Sequence, residues 1–502
     1  MTAKRILLWG LTFVAIAAIT FDLIGSWSQP QFQSRLELAQ NDLLLEAAEY
    51  RGNQTTPVLT DRTPQKTALK AYQDTRSSVE KAIVSAQSQI EEDSATDPIK
   101  VELAKQQTLR DELDIRIGIL QTQQNQVEAA LKSWATLKTT GSQTKKSSEL
   151  RSTATTLTAL WQNSLPPQAE SILKQNLNGW FRNRALEKLY TLEQRETALN
   201  ELRSLEQVES QSALTKWVTA NAIPTIAMVL GFGLLLFLAG QWLLQRKQSL
   251  LVGTNLIKWA VPWDYEITWQ VLVVGFFAVG QILIGQILLP TGLAVAKSAF
   301  QIDPTMFTVR DRAVLALITY VCLAAGGLGV LYASIKRFLS LEDNWFRFSL
   351  KGKWLLWGVG GYVAAYPLLV GVSWVNEKIW QGRGGSNPLL SIALEGQDGI
   401  AITLFFITAA ILAPLFEETF FRGFLLPSLT RYFTTWQAIV LSGLIFAIVH
   451  LSLSEVAPLT VLGIILGFVY TRTQNLMASV LLHALWNSGT LLTLFLLGST
   501  ST

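Results

Sequence analysis

The chain has 502 residues, of which 49% are hydrophobic and only 16% charged, with a formal net charge of +4. Soluble domains carry about 25% charged residues, so the composition excludes an ordinary water-soluble fold, and so small a net charge gives no footing for nucleic-acid binding. The single cysteine, Cys322, excludes an intrachain disulfide framework and a cysteine metal site.

Taken in chain order, Lys4 and Arg5 precede an apolar stretch from Ile6 to Phe21, followed by Asp22 and a short apolar tail to Trp27. A positive start and a run of this length fit a signal peptide or a first membrane helix. Ala15 and Ala17 lie in the middle of the run and not at its end, which points to an uncleaved signal anchor within residues 1–30. Residues 31–215 are polar and read as an extramembrane helical domain. There Leu113, Ile117, Leu120, Val127, Leu131 and Trp134 alternate steps of four and three, with Gln124 at the one polar seam position. That is a coiled-coil-like stripe. A second helical stretch carries Leu189, Leu192, Leu199, Leu202 and Leu205. Between the two, Thr139 to Ser148 reads as a linker or turn. The domain shows no catalytic pattern. It reads as a helical hairpin or bundle packed on itself, with binding of a protein partner as the alternative.

Further apolar runs lie at about 222–244, 268–290 and 313–335, within 216–350, and at 353–375, 398–416, 436–452, 458–471 and 476–498, within 351–502. A bilayer crossing needs about 20 apolar residues, so most of these qualify, while those at 436 and 458 are short. With the first helix the expectation is an all-α polytopic membrane protein of about nine transmembrane helices. The 17 Trp residues suit anchoring at bilayer interfaces. Nine crossings put Lys4, Arg5, Arg246, Lys247, Lys336, Arg337, Arg422, Arg431 and Arg472 on one side. By the positive-inside tendency that side is the cytoplasm or its organellar equivalent, with the helical domain opposite. The membrane is then a bacterial plasma membrane or an organellar one.

Ionisable groups inside a membrane are functional candidates by default. This chain has only two histidines, His450 and His483, and both lie in apolar runs shortly after Glu417 and Glu418. Glu418 and Arg422, four apart on a helix, share a face and can pair. Glu417 then points elsewhere without that partner, and a carboxylate so placed suits a general base. His450 follows Phe446 by four, and His483 precedes Asn487 by four. Polar groups in hydrocarbon need partners, and these satisfy one another only by converging. Such a site supports hydrolysis of an acyl bond in either of two ways. A carboxylate and an imidazole activate a water while a second imidazole and an amide stabilise the oxyanion. Alternatively Glu417, His450 and His483 hold a zinc ion whose bound water attacks, although the H-E-x-x-H pattern is missing.

At these residues the chain resembles the CPBP family of intramembrane proteases, also called the CAAX protease and bacteriocin-processing or Abi family. Its motifs E-E-x-x-x-R, F-x-x-x-H and H-x-x-x-N read here as Glu417-Glu418-Thr419-Phe420-Phe421-Arg422, Phe446 to His450, and His483 to Asn487, with Gly423 following the arginine. The resemblance covers roughly residues 350–500 and implies an all-helical core with a cytosol-facing site. It implies Glu417 as catalytic base with His450 helping to activate water, His483 and Asn487 as the oxyanion-stabilising pair, and Glu418, Arg422 and Phe446 in support. The mechanism it favours uses no cofactor. The implied partners are the lipid bilayer and a membrane-embedded or lipidated protein substrate, CAAX-type in the family's best-known members; other members are bacteriocin-immunity proteins. A non-proteolytic scaffold that keeps the fold is the competing reading, and a transporter a more distant one. One geometric demand follows. With Glu417 at the inner end of its span, His450 lies about 14 residues into the next, roughly 20 Å along a straight helix. Residues Phe424 to Thr435 must then dip into the membrane, or the next helix must tilt or begin deeper.

Overall fold

The computed structural model describes residues 2–27, 32–52, 63–92, 97–137, 145–252, 259–339, 341, 345–380, 383–385 and 398–498. These form helices and connecting turns that fall into two compact units. One contains Ser28–Ala222; the other contains Met1–Trp27, Ile223–Trp380 and Gly384–Phe495.

The first unit is built from α2 (Phe32–Ala48), α3 (Pro64–Glu92), α4 (Asp97–Gln123), α5 (Val127–Leu137), α6 (Lys145–Trp161), α7 (Ala169–Asn176), α8 (Gly179–Leu192) and the start of α9 (Glu196–Gln245). Its core gathers Leu45, Tyr72, Leu120, Trp134, Leu157 and Phe181. The leucine stripe does not run along one coiled-coil helix. Asn125 takes a left-handed conformation (φ +59°) that ends α4 and turns the chain into α5. The two halves of the stripe therefore pack on each other. A Cβ at Gly118 would lie 2.2 Å from the Trp134 indole nitrogen, which donates to the Ile115 carbonyl at 3.2 Å. The Leu189–Leu205 stretch is likewise divided, at Gln194 (φ +55°), and Leu205 is left exposed. Of the expected linker, residues 139–144 lie outside the described residues, and α6 already begins at Lys145.

In the second unit, the spans after α1 (Ala3–Ser26) are the apolar part of α9, α10 (Tyr265–Phe300), α11 (Val309–Phe338), α12 (Trp354–Trp380), α13 (Gly399–Leu429), α15 (Leu453–Thr473) and α16 (Leu476–Leu497). Among the described residues, eight helices are thus long and apolar enough to cross a membrane, against the nine expected. The ninth run is α14 (Thr435–Ile448), only 14 residues, or about 21 Å at the α-helical rise, short of a roughly 30 Å hydrocarbon core.

A second correction concerns the span expected over 398–416. Helix α13 runs on to Leu429, because Glu418 and Arg422 are buried and paired inside the protein and do not mark a water-exposed helix end. Glu417 therefore lies about three turns before the end of α13. The depth mismatch with His450 disappears without a re-entrant loop. The chain turns at Thr430–Phe433, and α14 starts with the Thr434 hydroxyl accepting from the Gln437 amide while Gln437 reaches back to the Thr434 N–H. That capping box satisfies two orphan donors at the helix start.

Close backbone packing sets the site's dimensions. Gly443 of α14 meets Gly463 of α15 so closely that a Cβ on Gly463 would lie 2.7 Å from the Gly443 Cα. Without a hydrophobic drive between helices in lipid, such small-residue contacts are what let helices approach. We predict that Gly463→Ala forces α14 and α15 apart and costs about 1–3 kcal/mol, read as a lower unfolding midpoint of the purified protein in detergent. A midpoint equal to that of the native chain would contradict this packing.

Candidate active site

Helix α13 is not a regular α-helix. Two of its stretches, Ile407–Leu412 and Glu418–Leu425, are π-helical and flank Glu417. Wider turns of this kind occur frequently at functional sites, and here the local cause can be traced. The Ala413 amide donates five residues back, to the Thr408 carbonyl. The next bond of that pattern would run from residue 414 to the Ala409 carbonyl, but residue 414 is proline and has no N–H. The Asn487 side-chain amide of α16 donates to Ala409 O instead, at 2.7 Å. One of its two N–H groups is thereby used to hold α13 in place.

Below this break lies a fully buried ion pair. Glu418 and Arg422 both have 0% exposed side chains and meet at 2.8 Å. Arg422 also donates to the Gly463 carbonyl at 3.2 Å, and its guanidinium lies 4.5 Å over the Phe446 ring. His483 Nδ1 is 2.9 Å from the same Glu418 oxygen. A carboxylate oxygen beside an arginine can only accept, so Nδ1 carries the proton and donates. That fixes the ring, and His483 Nε2 points toward Glu417 Oε2 at 3.9 Å.

Glu417 is held differently. Its Oε1 accepts from the Tyr320 hydroxyl of α11 at 3.0 Å, while its Oε2 is buried without a hydrogen-bond partner. His450 sits just past the end of α14. Its backbone N–H bonds to Ala447 O, which leaves the Phe446 carbonyl for the His450 ring, and Nδ1 donates to it at 2.7 Å. The fully buried Phe446 ring meets His450 edge-on at 4.8 Å and His483 at 5.8 Å. One aromatic ring thus braces both imidazoles. In the neutral form each ring has its proton on Nδ1 and its lone pair on Nε2.

Glu417, His450, His483, Asn487, Phe446 and Tyr320 line one cavity of about 500 Å³. The seven motif positions converge on α13, α14 and α16, with Glu418 and Arg422 behind the cavity wall. The pairing within it differs from the expected one: His483, and not His450, is the ring that approaches Glu417. Among the described residues, no group of three His, Cys, Asp or Glu is placed to hold a metal ion. Tyr320 escaped motif reading. Its one signal in the sequence is a phenol in a largely apolar span, and it shares that signal with Tyr332.

With this geometry in view, residues 399–489 match the family described as Type II CAAX prenyl endopeptidase Rce1-like. The Bacillus subtilis (strain 168) protein named "Putative membrane peptidase YdiL" is 26% identical over 134 residues, which make up 27% of this chain and 54% of that protein. The chain thus spans about half the length of that relative. No solved structure gives a significant match. The resemblance to the CPBP family read from the three motifs is borne out over this segment, which contains all of them.

The buried pair makes a stability prediction. Arg422→Met strands the Glu418 carboxylate and should cost about 3–5 kcal/mol, whereas Arg422→Met combined with Glu418→Gln should recover part of the loss. Thermal unfolding of the purified variants decides it, and a single variant no less stable than the double would contradict it.

Proposed function

We propose that the chain is an intramembrane endopeptidase that hydrolyses a peptide bond of a membrane-associated protein, of which a CAAX-type lipidated protein is one class. The observation that carries this reading is the unpartnered Glu417 Oε2 beside His483 Nε2, on the wall of a cavity within an apolar helical unit. The match to a CAAX prenyl endopeptidase family supports the same reading.

A separation of 3.9 Å between two acceptors is a span that one water bridges with two hydrogen bonds of about 2.8 Å. Such a water donates one hydrogen bond to each acceptor and keeps its lone pairs for attack. Glu417 takes one proton as the oxygen bonds to the scissile carbonyl carbon, and the carbonyl π pair moves onto oxygen. The second N–H of Asn487 is the donor on the cavity wall for that oxyanion, and His450 Nε2 joins it only when the ring is protonated. When the C–N bond breaks, the Glu417 carboxyl returns its proton to the leaving amine. Glu418 and Arg422 touch no substrate in this scheme and act by fixing His483. The positive-inside tendency favours a cytoplasmic, or equivalent organellar, side that holds Lys4, Lys336 and Arg431.

The test is cleavage of a quenched fluorescent farnesylated CAAX-type peptide by the full chain in liposomes. Glu417→Gln should lower the rate at least about 1,000-fold, since it removes the base and not only a contact, and a metal chelator should leave the native rate unchanged. Native-like cleavage by Glu417→Gln would overturn the mechanism.

A further inference from the structure

Tyr320 lies on α11, outside the segment that matches the family, yet its hydroxyl is the only hydrogen-bond donor that reaches Glu417 among the described residues. From this contact we infer that Tyr320 is a positioning residue for the catalytic carboxylate, which it holds so that Oε2 and not Oε1 receives the water. The inference rests on the peptidase reading given above and adds to it a residue from a different helix.

The approach of α11 is built for this contact. Ala313 and Gly327 lie seven residues either side of Tyr320, on the same face of the helix, and both are buried. A Cβ at Gly327 would come within 3.2 Å of the Phe416 ring, so glycine there lets α11 come close to α13. The Tyr320 ring then meets Phe416 edge-on, at 6.2 Å and 85°, one residue before Glu417. Packing of ring against ring fixes where the phenol oxygen stands. The oxygen in turn fixes a carboxylate that would otherwise rotate freely about its last torsion.

The two Glu417 oxygens are thereby made unequal. Oε1 is occupied at 3.0 Å; Oε2 is bare and faces the His483 ring nitrogen. Without the phenol, either oxygen could turn to the cavity, and the Oε2-to-Nε2 spacing that suits a bridging water would be one arrangement among several. When Glu417 takes up the water's proton, the hydroxyl still has an oxygen to donate to, so the orientation is kept through the proton transfer. Loss of orientation of this kind shows in the chemical step and not in substrate binding.

The experiment compares native protein, Tyr320→Phe and Glu417→Gln in liposomes. Infrared subtraction of native and Glu417→Gln spectra isolates the Glu417 carboxyl band, and the inference requires that band to shift in Tyr320→Phe. With the farnesylated peptide, kcat should fall about 10- to 100-fold while KM stays within about twofold. If Tyr320→Phe does not fold, 3-fluorotyrosine at position 320 exchanges one ring hydrogen for a fluorine of similar size, makes the hydroxyl a stronger donor, and must move the same band. An unshifted band, or a loss confined to KM, would overturn the role of Tyr320. Full activity of Glu417→Gln would instead remove the peptidase reading on which it rests.

Discussion

The arrangement of the site depends on a charge pair that is fully withdrawn from solvent. Glu418 and Arg422 are each completely buried, and an ion pair in such surroundings depends on further contacts to offset its desolvation. Here these are the His483 ring, the Gly463 carbonyl and the face of Phe446, drawn from three other helices, while Glu418 Oε2 and Arg422 Nε stay without a hydrogen-bond partner among the described residues. Each of these contacts sets a distance: Gly463 needs its close crossing with Gly443, Phe446 carries His450 on its carbonyl, and His483 turns its free nitrogen to Glu417. The pair touches no substrate in the proposed scheme, yet it sets which way His483 faces and braces Phe446, whose carbonyl holds His450.

Seen from the sequence, the parts of this site differ in how readable they are. Same-face spacing makes Glu418 and Arg422 a pair and leaves Glu417 without that partner, and the structure has both features. The convergence of Glu417, His450 and His483 on one region follows from the cost of leaving polar groups in hydrocarbon unsatisfied. What such reasoning could not supply is contact between elements far apart in the chain. Tyr320 lies nearly a hundred positions before Glu417, and nothing local to either marks the bond. The nearer of the two rings to Glu417 was equally hidden, because it depends on which face of α16 meets Glu418. The span limits failed for a related reason. Charged residues look like the end of a membrane helix when they stand alone, but the burial of Arg422 lets α13 continue to Leu429. In the polar domain the step pattern was right that Leu113, Ile117, Leu120 and Trp134 are buried, but it missed the exposure of Leu205 and was blind to Asn125, where the helix turns back.

Asn487 shows how one side chain serves two ends. Its amide offers two protons. One replaces the backbone hydrogen bond that Pro414 cannot make to Ala409, which locks the irregular turn ahead of Glu417 to the last helix. The other is left for the cavity. A proline in the middle of a membrane helix commonly needs such rescue from a neighbouring helix, and in this chain the rescuing residue is also a cavity residue. Irregular helix, proline and asparagine thus form one device that places a carboxylate at a chosen depth.

The account's central claim is that Glu417 is the base of a peptidase acting on membrane-associated protein. Its most direct measurement compares the membrane peptides of cells carrying the native chain with those of cells carrying Glu417→Gln at equal abundance. The account predicts a defined set of cleavage fragments that are present with the native chain and absent with the variant, whose uncut precursors accumulate instead. Identical peptide populations in the two would contradict it.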